Sequence, residues 1–247
     1  MEKKHIHNYK IENNYEVCSI CGKKRLNLKK VNEDLLLGIT RQGKKYSVRA
    51  NRMAFFMPDI WNKFFEELNG EKAKRTAEIL IQTGARINEA RNIKKKDIDW
   101  DRNIIKLRVT KTKARKSGEE RGKPRNIPTN SLYIKKLKKF FNNKQDDDYI
   151  DILSTPAFNI AIKKTLQRID LKDYYMYSAH NIRKTHGNWL KVLGNARMID
   201  CDAMEICLRL GHDYNTFLSS YGSSSSMNPE DMIKIKKIFG DLYERKW

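Results

Sequence analysis

From about residue 57 onward, apolar positions recur at the three- and four-residue spacing of amphipathic helices. In MPDIWNKFFEELNG, Pro58 suits the first turn of a helix and Gly70 its end. One apolar stripe lies between them, formed by Ile60, Trp61, Phe64, Phe65 and Leu68. The residues EKAKRTAEILIQTGARINEA predict a second helix, a break at TG and a short third helix. Further helices are predicted at about 131–142, 157–169, 179–193 and 204–210.

One segment alternates apolar and polar residues with the period of a half-buried strand. In IIKLRVT, the apolar residues Ile105, Leu107 and Val109 alternate with lysine, arginine and threonine. A basic, glycine-containing loop, KTKARKSGEERGKP, leads to a second short strand, RNIPT, and the pair predicts a β-hairpin. We therefore expect an α+β fold that is mainly helical, with a small antiparallel β-sheet.

The chain carries a large positive charge. Its 247 residues allow one sizeable core with a small appendage, and 51 Lys and Arg against 30 Asp and Glu give a net charge of +21. This excess is spread along the chain and favours nucleic acid as the partner, with an acidic membrane surface as the second candidate. The remaining interpretation is a basic protein that binds neither. The sequence shows no apolar run of membrane-spanning length and no signal peptide, so we expect a cytoplasmic protein without a membrane partner.

The N-terminal segment HIHNYKIENNYEVCSICGKKR predicts a small zinc site. His5 and His7 alternate as on a strand, and Cys18 and Cys21 have the tight-turn spacing of a zinc knuckle. Four such ligands suit a structural zinc ion in tetrahedral geometry, and an unstructured arm with a chance cysteine pair is the alternative. The expected segments are a zinc knuckle over 1–27 and a basic linker or DNA-tracking arm over 28–55.

Polar residues suited to phosphate chemistry follow these predicted elements. His180 and Arg183 are three residues apart on a helix that begins after Ser178, so they share a face and can reach one target. Arg86 comes directly after a helix break, where a turn can aim its guanidinium into a cleft. The remaining candidates are Lys111 and Lys113 beyond the first strand, His212 after Gly211, and Tyr221 nine residues later.

The order TGAR-x-x-E, a lysine in a β-hairpin, H-x-x-R, LGH and a tyrosine nine residues past that histidine resembles the tyrosine recombinases, the phage-integrase and Xer-like family. The resemblance covers about residues 57–221 and implies a catalytic domain over 56–247 that ends in a helical tail. It implies a site-specific DNA recombinase of a mobile element or virus, an enzyme that integrates or excises DNA through a covalent 3′-phosphotyrosine. The implied partner is double-stranded DNA.

The resemblance assigns a role to each residue of the catalytic set. Arg86 and Arg183 would clamp the non-bridging oxygens of the phosphate with planar, paired hydrogen bonds. Tyr221 would attack phosphorus with His180 as its acid/base partner, because a phenol with an ordinary pKa near 10 is a poor nucleophile at neutral pH. Lys111 would protonate the departing 5′ oxygen, as the mechanism of the family implies.

Three further residues have supporting roles under the same resemblance. Lys113 is the second choice for the proton donor, His212 would hydrogen-bond a phosphate oxygen, and Glu89 would brace the arginines. The phosphotyrosine ester keeps the energy of the broken bond, so religation needs neither a metal nor a nucleotide. We therefore expect no catalytic cofactor.

The match leaves other readings open. Members of this family generally carry a helical DNA-gripping domain before the catalytic domain, whereas here we expect the zinc segment and linker before it. The interval from His180 to His212 is several residues longer than in typical relatives. A DNA-relaxing enzyme of the same chemistry and a zinc-containing DNA-binding protein with a vestigial site are the alternative functions. The helical tail, with Met232, Ile233 and Phe239 as expected anchors, would dock on a neighbouring subunit within a tetramer or pack on its own domain.

Overall fold

The computed structural model of the protein describes residues 9–12, 15–20, 24–26, 37–39, 45–47, 54–108, 124–211, 214–215, 217 and 227–244. The chain divides into two units, Met1–Met53 and Ala54–Trp247. Among the described residues, no helix combines the length and the apolar character needed to cross a lipid bilayer.

The first unit is built from short antiparallel strands. Its strands are β1 (Tyr9–Glu12), β2 (Tyr15–Cys18), β3 (Lys24–Leu26), β4 (Leu37–Ile39) and β5 (Lys45–Ser47). Strands β1, β2 and β3 form one sheet in that order, with Tyr9 opposite Cys18 and Val17 opposite Lys24. Strands β4 and β5 form a separate pair, in an interval for which the sequence had predicted no element.

All helices among the described residues lie in the second unit. They are α1 (Pro58–Glu67), α2 (Glu71–Thr83), α3 (Ile87–Ala90), α4 (Ser131–Phe141), α5 (Thr155–Arg168), α6 (Ala179–Asn195), α7 (Ala203–Leu210) and α8 (Pro229–Phe239). Helix α1 begins at Pro58, and α2 ends at a left-handed Gly84, so both helix signals in the sequence are confirmed. Short 3-10 turns lie at Lys95–Asp97 and Tyr174–Met176.

A three-stranded antiparallel sheet lies against the helices. It consists of β6 (Ile98–Asp99), β7 (Ile104–Leu107) and β8 (Arg125–Pro128), in that order. The predicted hairpin of β7 and β8 is confirmed, with Ile105 opposite Ile127. Strand β6 was not predicted, because two residues are too few to show a period.

Helix α6 is the centre of the second unit. It packs against α2, α5, α7 and α8, and most of its residues are buried. Trp189, near its middle, is fully buried and meets Trp61 of α1 and Phe239 of α8 edge-on, with ring centroids 6.0 Å apart in both pairs. The Asn181 side chain accepts a hydrogen bond from the backbone N–H of Ser178 at 2.9 Å and so fixes the first turn. This turn carries His180 and Arg183 on a rigid support.

The tail helix α8 packs on its own domain. Ile235 and Phe239 are fully buried, and the carbonyl of Ile238 accepts a hydrogen bond from the Gln82 side chain at 2.7 Å. The prediction of Ile233 as an anchor is wrong, since its side chain is 52% exposed. Positions 235 and 239 are four apart and face α6 together, which turns residue 233 outward. The described residues of the tail thus pack within their own domain. The tetramer stays a prediction.

Candidate active site

Residues that lie far apart in the sequence line one cleft of about 190 Å³ in the second unit. The cleft is bounded by the turn after α2, by the start of α5 and by the first turn of α6. Its polar lining consists of Arg86, Thr155, Asn159, Ser178, His180 and Arg183. Three of the predicted catalytic residues, Arg86, His180 and Arg183, are therefore brought together.

The glycine of the TGAR motif forms the turn that leads into the cleft-lining residues Ala85 and Arg86. Gly84 has a φ of +63°, and a Cβ there would lie 2.5 Å from Cδ2 of His186 and 2.9 Å from Cδ2 of Leu210. The position therefore demands glycine both for its left-handed backbone and for lack of space. The Gly84 carbonyl oxygen accepts a hydrogen bond from Nη1 of Arg183 at 2.7 Å. The turn thus joins the segment that carries Arg86 to the buried arginine of α6.

Glu89 is a buried carboxylate among three guanidiniums. Its Oε1 lies 2.9 Å from Nη1 of Arg86, and its Oε2 lies 2.8 Å from Nη2 of Arg125 and 3.9 Å from Nη1 of Arg183. Burial alone would raise the pKa of Glu89, but the charge of Arg125, the backbone N–H of Arg86 and the charges of Arg183 and Arg86 outweigh it, so the pKa is lowered. The carboxylate is ionised at neutral pH and leaves the three-arginine cluster with a net positive charge.

The two predicted clamp arginines differ in exposure. The Arg183 side chain is 1% exposed, and its Nη2 donates to the carbonyl oxygen of Leu210 at the end of α7. The Arg86 side chain is 47% exposed and opens into the cleft. Arg183 therefore ties α2, α6 and α7 together, while Arg86 offers free hydrogen-bonding capacity to an incoming anion.

His180 is neutral in the free protein at pH 7. Its ring is exposed at the cleft opening, but neighbouring protein atoms displace part of its hydration. This desolvation, followed by the positive charges of Arg183, Lys184 and Arg86, lowers the pKa of His180 to about 4. A neutral imidazole beside the arginine cluster can accept a proton, which is the property required of a general base.

We expect the His180 resonance to titrate with a midpoint near pH 4 in a two-dimensional NMR experiment on the free protein. The signal is identified by its absence in His180→Gln. The unfolded chain takes up this proton near pH 6.5, whereas the folded chain takes it up only near pH 4. The contribution of His180 to the free energy of unfolding is therefore fully present above pH 6.5 and is lost as the pH falls from 6.5 to 4. A midpoint at or above 6.5 would contradict the cationic environment.

The other predicted catalytic residues lie outside the described residues: Lys111, Lys113, His212 and Tyr221. Two described residues near them in the sequence contact the arginine cluster. Leu210, two residues before His212, accepts a hydrogen bond from Arg183. Arg125, which begins β8 after the loop with the two lysines, contacts Glu89. Leu210 and Arg125 thus both lie beside the arginine cluster.

The predicted zinc ligands belong to the first unit. Cys18 ends β2 and is buried, whereas His5, His7 and Cys21 lie outside the described residues. Within the part of the chain that the structure describes, no three His, Cys, Asp or Glu side chains cluster in a way that could hold a metal ion. The zinc site therefore stays a prediction.

Sequence reasoning missed Arg125 as a member of the site. The residue follows KTKARKSGEERGKP, a loop crowded with lysine and arginine, so nothing in the local composition distinguishes it. Its 9% exposed side chain and its contact with Glu89 appear only when α3 and β8 are brought together. The one sequence signal for Arg125 was its position at the start of the predicted strand RNIPT.

The model of the phage integrase family matches residues 57–221, about two thirds of the chain. The chain belongs to the phage integrase family. The predicted relationship to the tyrosine recombinases is thereby confirmed, and with it a mainly helical catalytic fold with a small antiparallel sheet. No curated protein sequence is a significant match.

Solved structures of other integrases and recombinases share this fold. XerA recombinase superposes with a TM-score of 0.52 at 18% identity, over 74% of this chain and 64% of XerA. A lambda integrase dimer bound to a COC′ core site gives 0.51 at 16% identity, over 76% and 64%. The Tn1549 transposon integrase in complex with transposon right end DNA gives 0.50 at 18%, over 74% and 64%. The chain thus spans less than two thirds of the length of these proteins. At identities of 16–18%, the similarity shows a shared fold.

Proposed function

We propose that the protein is a site-specific DNA recombinase of the integrase type, which cleaves and rejoins DNA through a covalent 3′-phosphotyrosine. The observation that carries this proposal is the convergence of Arg86, His180 and Arg183 on one cleft, with Glu89 buried behind them. The membership of residues 57–221 in the phage integrase family gives this cluster its chemical context.

The reaction begins when a backbone phosphate of DNA enters the cleft. Arg86 and Arg183 neutralise the charge that builds up on the non-bridging oxygens. The phenol oxygen of Tyr221 bonds to phosphorus as its proton passes to the neutral imidazole of His180. The bond from phosphorus to the 5′ oxygen breaks, and Lys111, or Lys113 in its place, gives that oxygen a proton. Attack by a 5′ hydroxyl reverses these steps and rejoins the strand.

Double-stranded DNA is the proposed partner. The net charge of +21 suits a polyanion, and two of the structures that share the fold, those of lambda integrase and the Tn1549 integrase, are DNA complexes. A tetramer on two DNA duplexes is the assembly that strand exchange requires, and we propose it for this chain in the presence of DNA.

A plasmid assay tests the proposed function. Candidate attachment sites are taken from repeats in the DNA that flanks the coding region, and supercoiled plasmids with two such sites are compared with plasmids that have none. We expect recombinant junctions from the paired sites and no product without them. Relaxed plasmid with no junctions would indicate a relaxing enzyme instead, and DNA binding without any cleavage would indicate a vestigial site.

We further propose that the first unit holds a structural zinc ion through His5, His7, Cys18 and Cys21. Strands β2 and β3 are antiparallel, and the connection between them contains the CxxC motif. Tyr9 pairs with Cys18, so the end of β1 that leads toward the two histidines lies beside the first cysteine. These placements fit the knuckle geometry in which a turn presents two thiolates to one ion.

Elemental analysis of the purified chain is expected to find about one zinc ion per molecule. Cys21→Ser should lose the metal because three ligands hold zinc far more weakly than four. Cys201→Ser is the matched control, since this buried cysteine belongs to the second unit and should leave the zinc content unchanged. Wild-type protein without stoichiometric zinc would rule the site out.

A further inference from the structure

Arg125 is a largely buried arginine that makes contacts in three directions. Its Nη2 donates to Oε2 of Glu89 at 2.8 Å, and its Nε donates to the carbonyl oxygen of Arg209 at 3.1 Å. Its third nitrogen, Nη1, lies against Gly211: a Cβ at that position would approach it to 2.7 Å. The side chain is 9% exposed and does not line the cleft, so this guanidinium faces protein rather than an incoming substrate.

These contacts join three parts of the chain that carry proposed catalytic residues. Glu89 lies in α3 with Arg86, and its carboxylate also approaches Arg183. Arg125 itself begins β8, which is paired with β7 at the base of the hairpin that leads to Lys111. The Arg209 carbonyl belongs to the last turn of α7, three residues before His212.

We propose that Arg125 is a positioning residue for strand cleavage: it fixes the arginine cluster, the base of the lysine hairpin and the turn before His212 relative to one another. This inference rests on the proposed function. Arg125 acts through Glu89 and the α7 turn and does not touch DNA. Its removal should misplace groups that must meet one phosphorus atom, whereas loss of an ordinary structural ion pair would change stability alone.

The guanidinium group suits this task better than an ammonium group. Its planar fork donates in fixed directions, here to the carboxylate of Glu89 and to the backbone carbonyl of Arg209. Lysine, in contrast, offers a single point of charge. Gly211 contributes as well, because its φ of +60° and missing Cβ leave room for the fork. A side chain at position 211 would have to displace the Arg125 guanidinium.

The experiment measures adduct formation and DNA binding separately in Arg125→Gln and Arg125→Lys. Full-length protein is incubated in excess with a nicked suicide DNA, and the first-order rate of covalent trapping is compared with the Kd of the same DNA. We expect Arg125→Gln to slow trapping about tenfold to a hundredfold, since small displacements of reacting groups have effects of this size. The Kd should change less than about threefold, because the side chain does not line the cleft and contributes no phosphate contact. Arg125→Lys should recover only part of the rate.

Arg75→Gln is the matched control. Arg75 is also a partly buried arginine, 22% exposed, which donates to the carbonyl oxygen of Asp151 at 2.8 Å and lies over the Phe140 ring at 4.0 Å. It does not line the cleft, so its loss should lower the melting temperature and leave the trapping rate unchanged. The two arginines thus separate a loss of stability from a loss of positioning.

The pH profile adds a second readout. Glu89 is faced by Arg125, Arg183 and Arg86, and Arg125 is the largest of the charges that lower its pKa. In Arg125→Gln the pKa of Glu89 should rise, so the acidic limb of the trapping rate should move to higher pH than in the wild type. Arg75→Gln should keep the wild-type profile.

The outcomes distinguish this inference from the proposed function. If the wild type traps no adduct, the proposed function fails. If the wild type reacts and Arg125→Gln reacts at the same rate with the same pH profile, only the positioning role is overturned. A slower rate that merely follows the folded fraction, as monitored by circular dichroism in both Arg125 variants, would also overturn it.

Discussion

Replacing Tyr221 by phenylalanine should abolish the covalent adduct between the protein and DNA. The phenol oxygen is the atom proposed to bond to phosphorus, and phenylalanine keeps the ring while removing that oxygen. The expected loss is complete, because no other nucleophile is assigned to the cleft. DNA affinity should stay nearly unchanged, since the cationic groups that attract the phosphates remain. The measurement is trapping on a nicked suicide DNA, in which loss of a short fragment prevents religation and the adduct is resolved on a denaturing gel.

Tyr214→Phe provides the matched control for this experiment. Tyr214 lies in the same stretch of sequence, is 49% exposed and stacks on Phe217 with ring centroids 6.3 Å apart. It loses the same atom but is not assigned a chemical role, so adduct formation should continue at the wild-type rate. An adduct that persists in Tyr221→Phe would place the nucleophile elsewhere, and its loss in Tyr214→Phe alone would identify that residue.

Replacing Arg183 by alanine should slow strand cleavage by about a thousandfold, the upper end of what removal of one preorganised oxyanion donor costs. Two effects combine here. The phosphate loses one half of its proposed clamp, and the bonds to the carbonyl oxygens of Gly84 and Leu210 are lost. Because these carbonyls belong to the segments next to Arg86 and His212, the substitution also disturbs their placement. The rate of adduct trapping at saturating protein measures the effect.

A lysine at position 183 separates charge from geometry. Arg183→Lys keeps the positive charge near Glu89 but loses the planar fork whose two Nη atoms donate to separate carbonyl oxygens, so we expect most of the rate to remain lost. Arg102→Ala is the control: its side chain is 80% exposed and pairs only with Asp99 in the described structure. Wild-type cleavage by a folded Arg183→Ala protein, checked by circular dichroism, would contradict the clamp.

The helices were predictable wherever one apolar stripe was unambiguous. In α1 the stripe that includes Trp61 and Phe64 has polar neighbours, so only one face can be buried. In α8 the sequence MIKIKKIF has apolar residues on more than one face, and its phase was misjudged at Ile233. Contact with α6 selects Ile235 and Phe239 for burial, and a helix pattern by itself does not contain that partner.

The site was predictable in part for a related reason. Arg86 and Arg183 stand in short motifs whose order in the chain marks the family, so their meeting could be expected before any coordinates. The contact of Arg125 with Glu89 could not be predicted. Arg125 is one of many basic residues in its part of the sequence, and it belongs to the site only because the fold brings it next to Glu89. The lowered pKa of His180 likewise depends on desolvation by neighbouring protein atoms and on charges from its own helix and from the turn that carries Arg86.

The anchoring of α8 on its own domain limits how far the proposed nucleophile can travel. Tyr221 stands ten residues after Gly211 and six before Met227, which is buried. Six residues of fully extended chain span about 20 Å, so the shorter tether sets the reach of the tyrosine. A subunit that lends Tyr221 to its neighbour must therefore bring its own body within that distance of the foreign phosphate. Attack on the phosphate held by the same subunit needs no such approach.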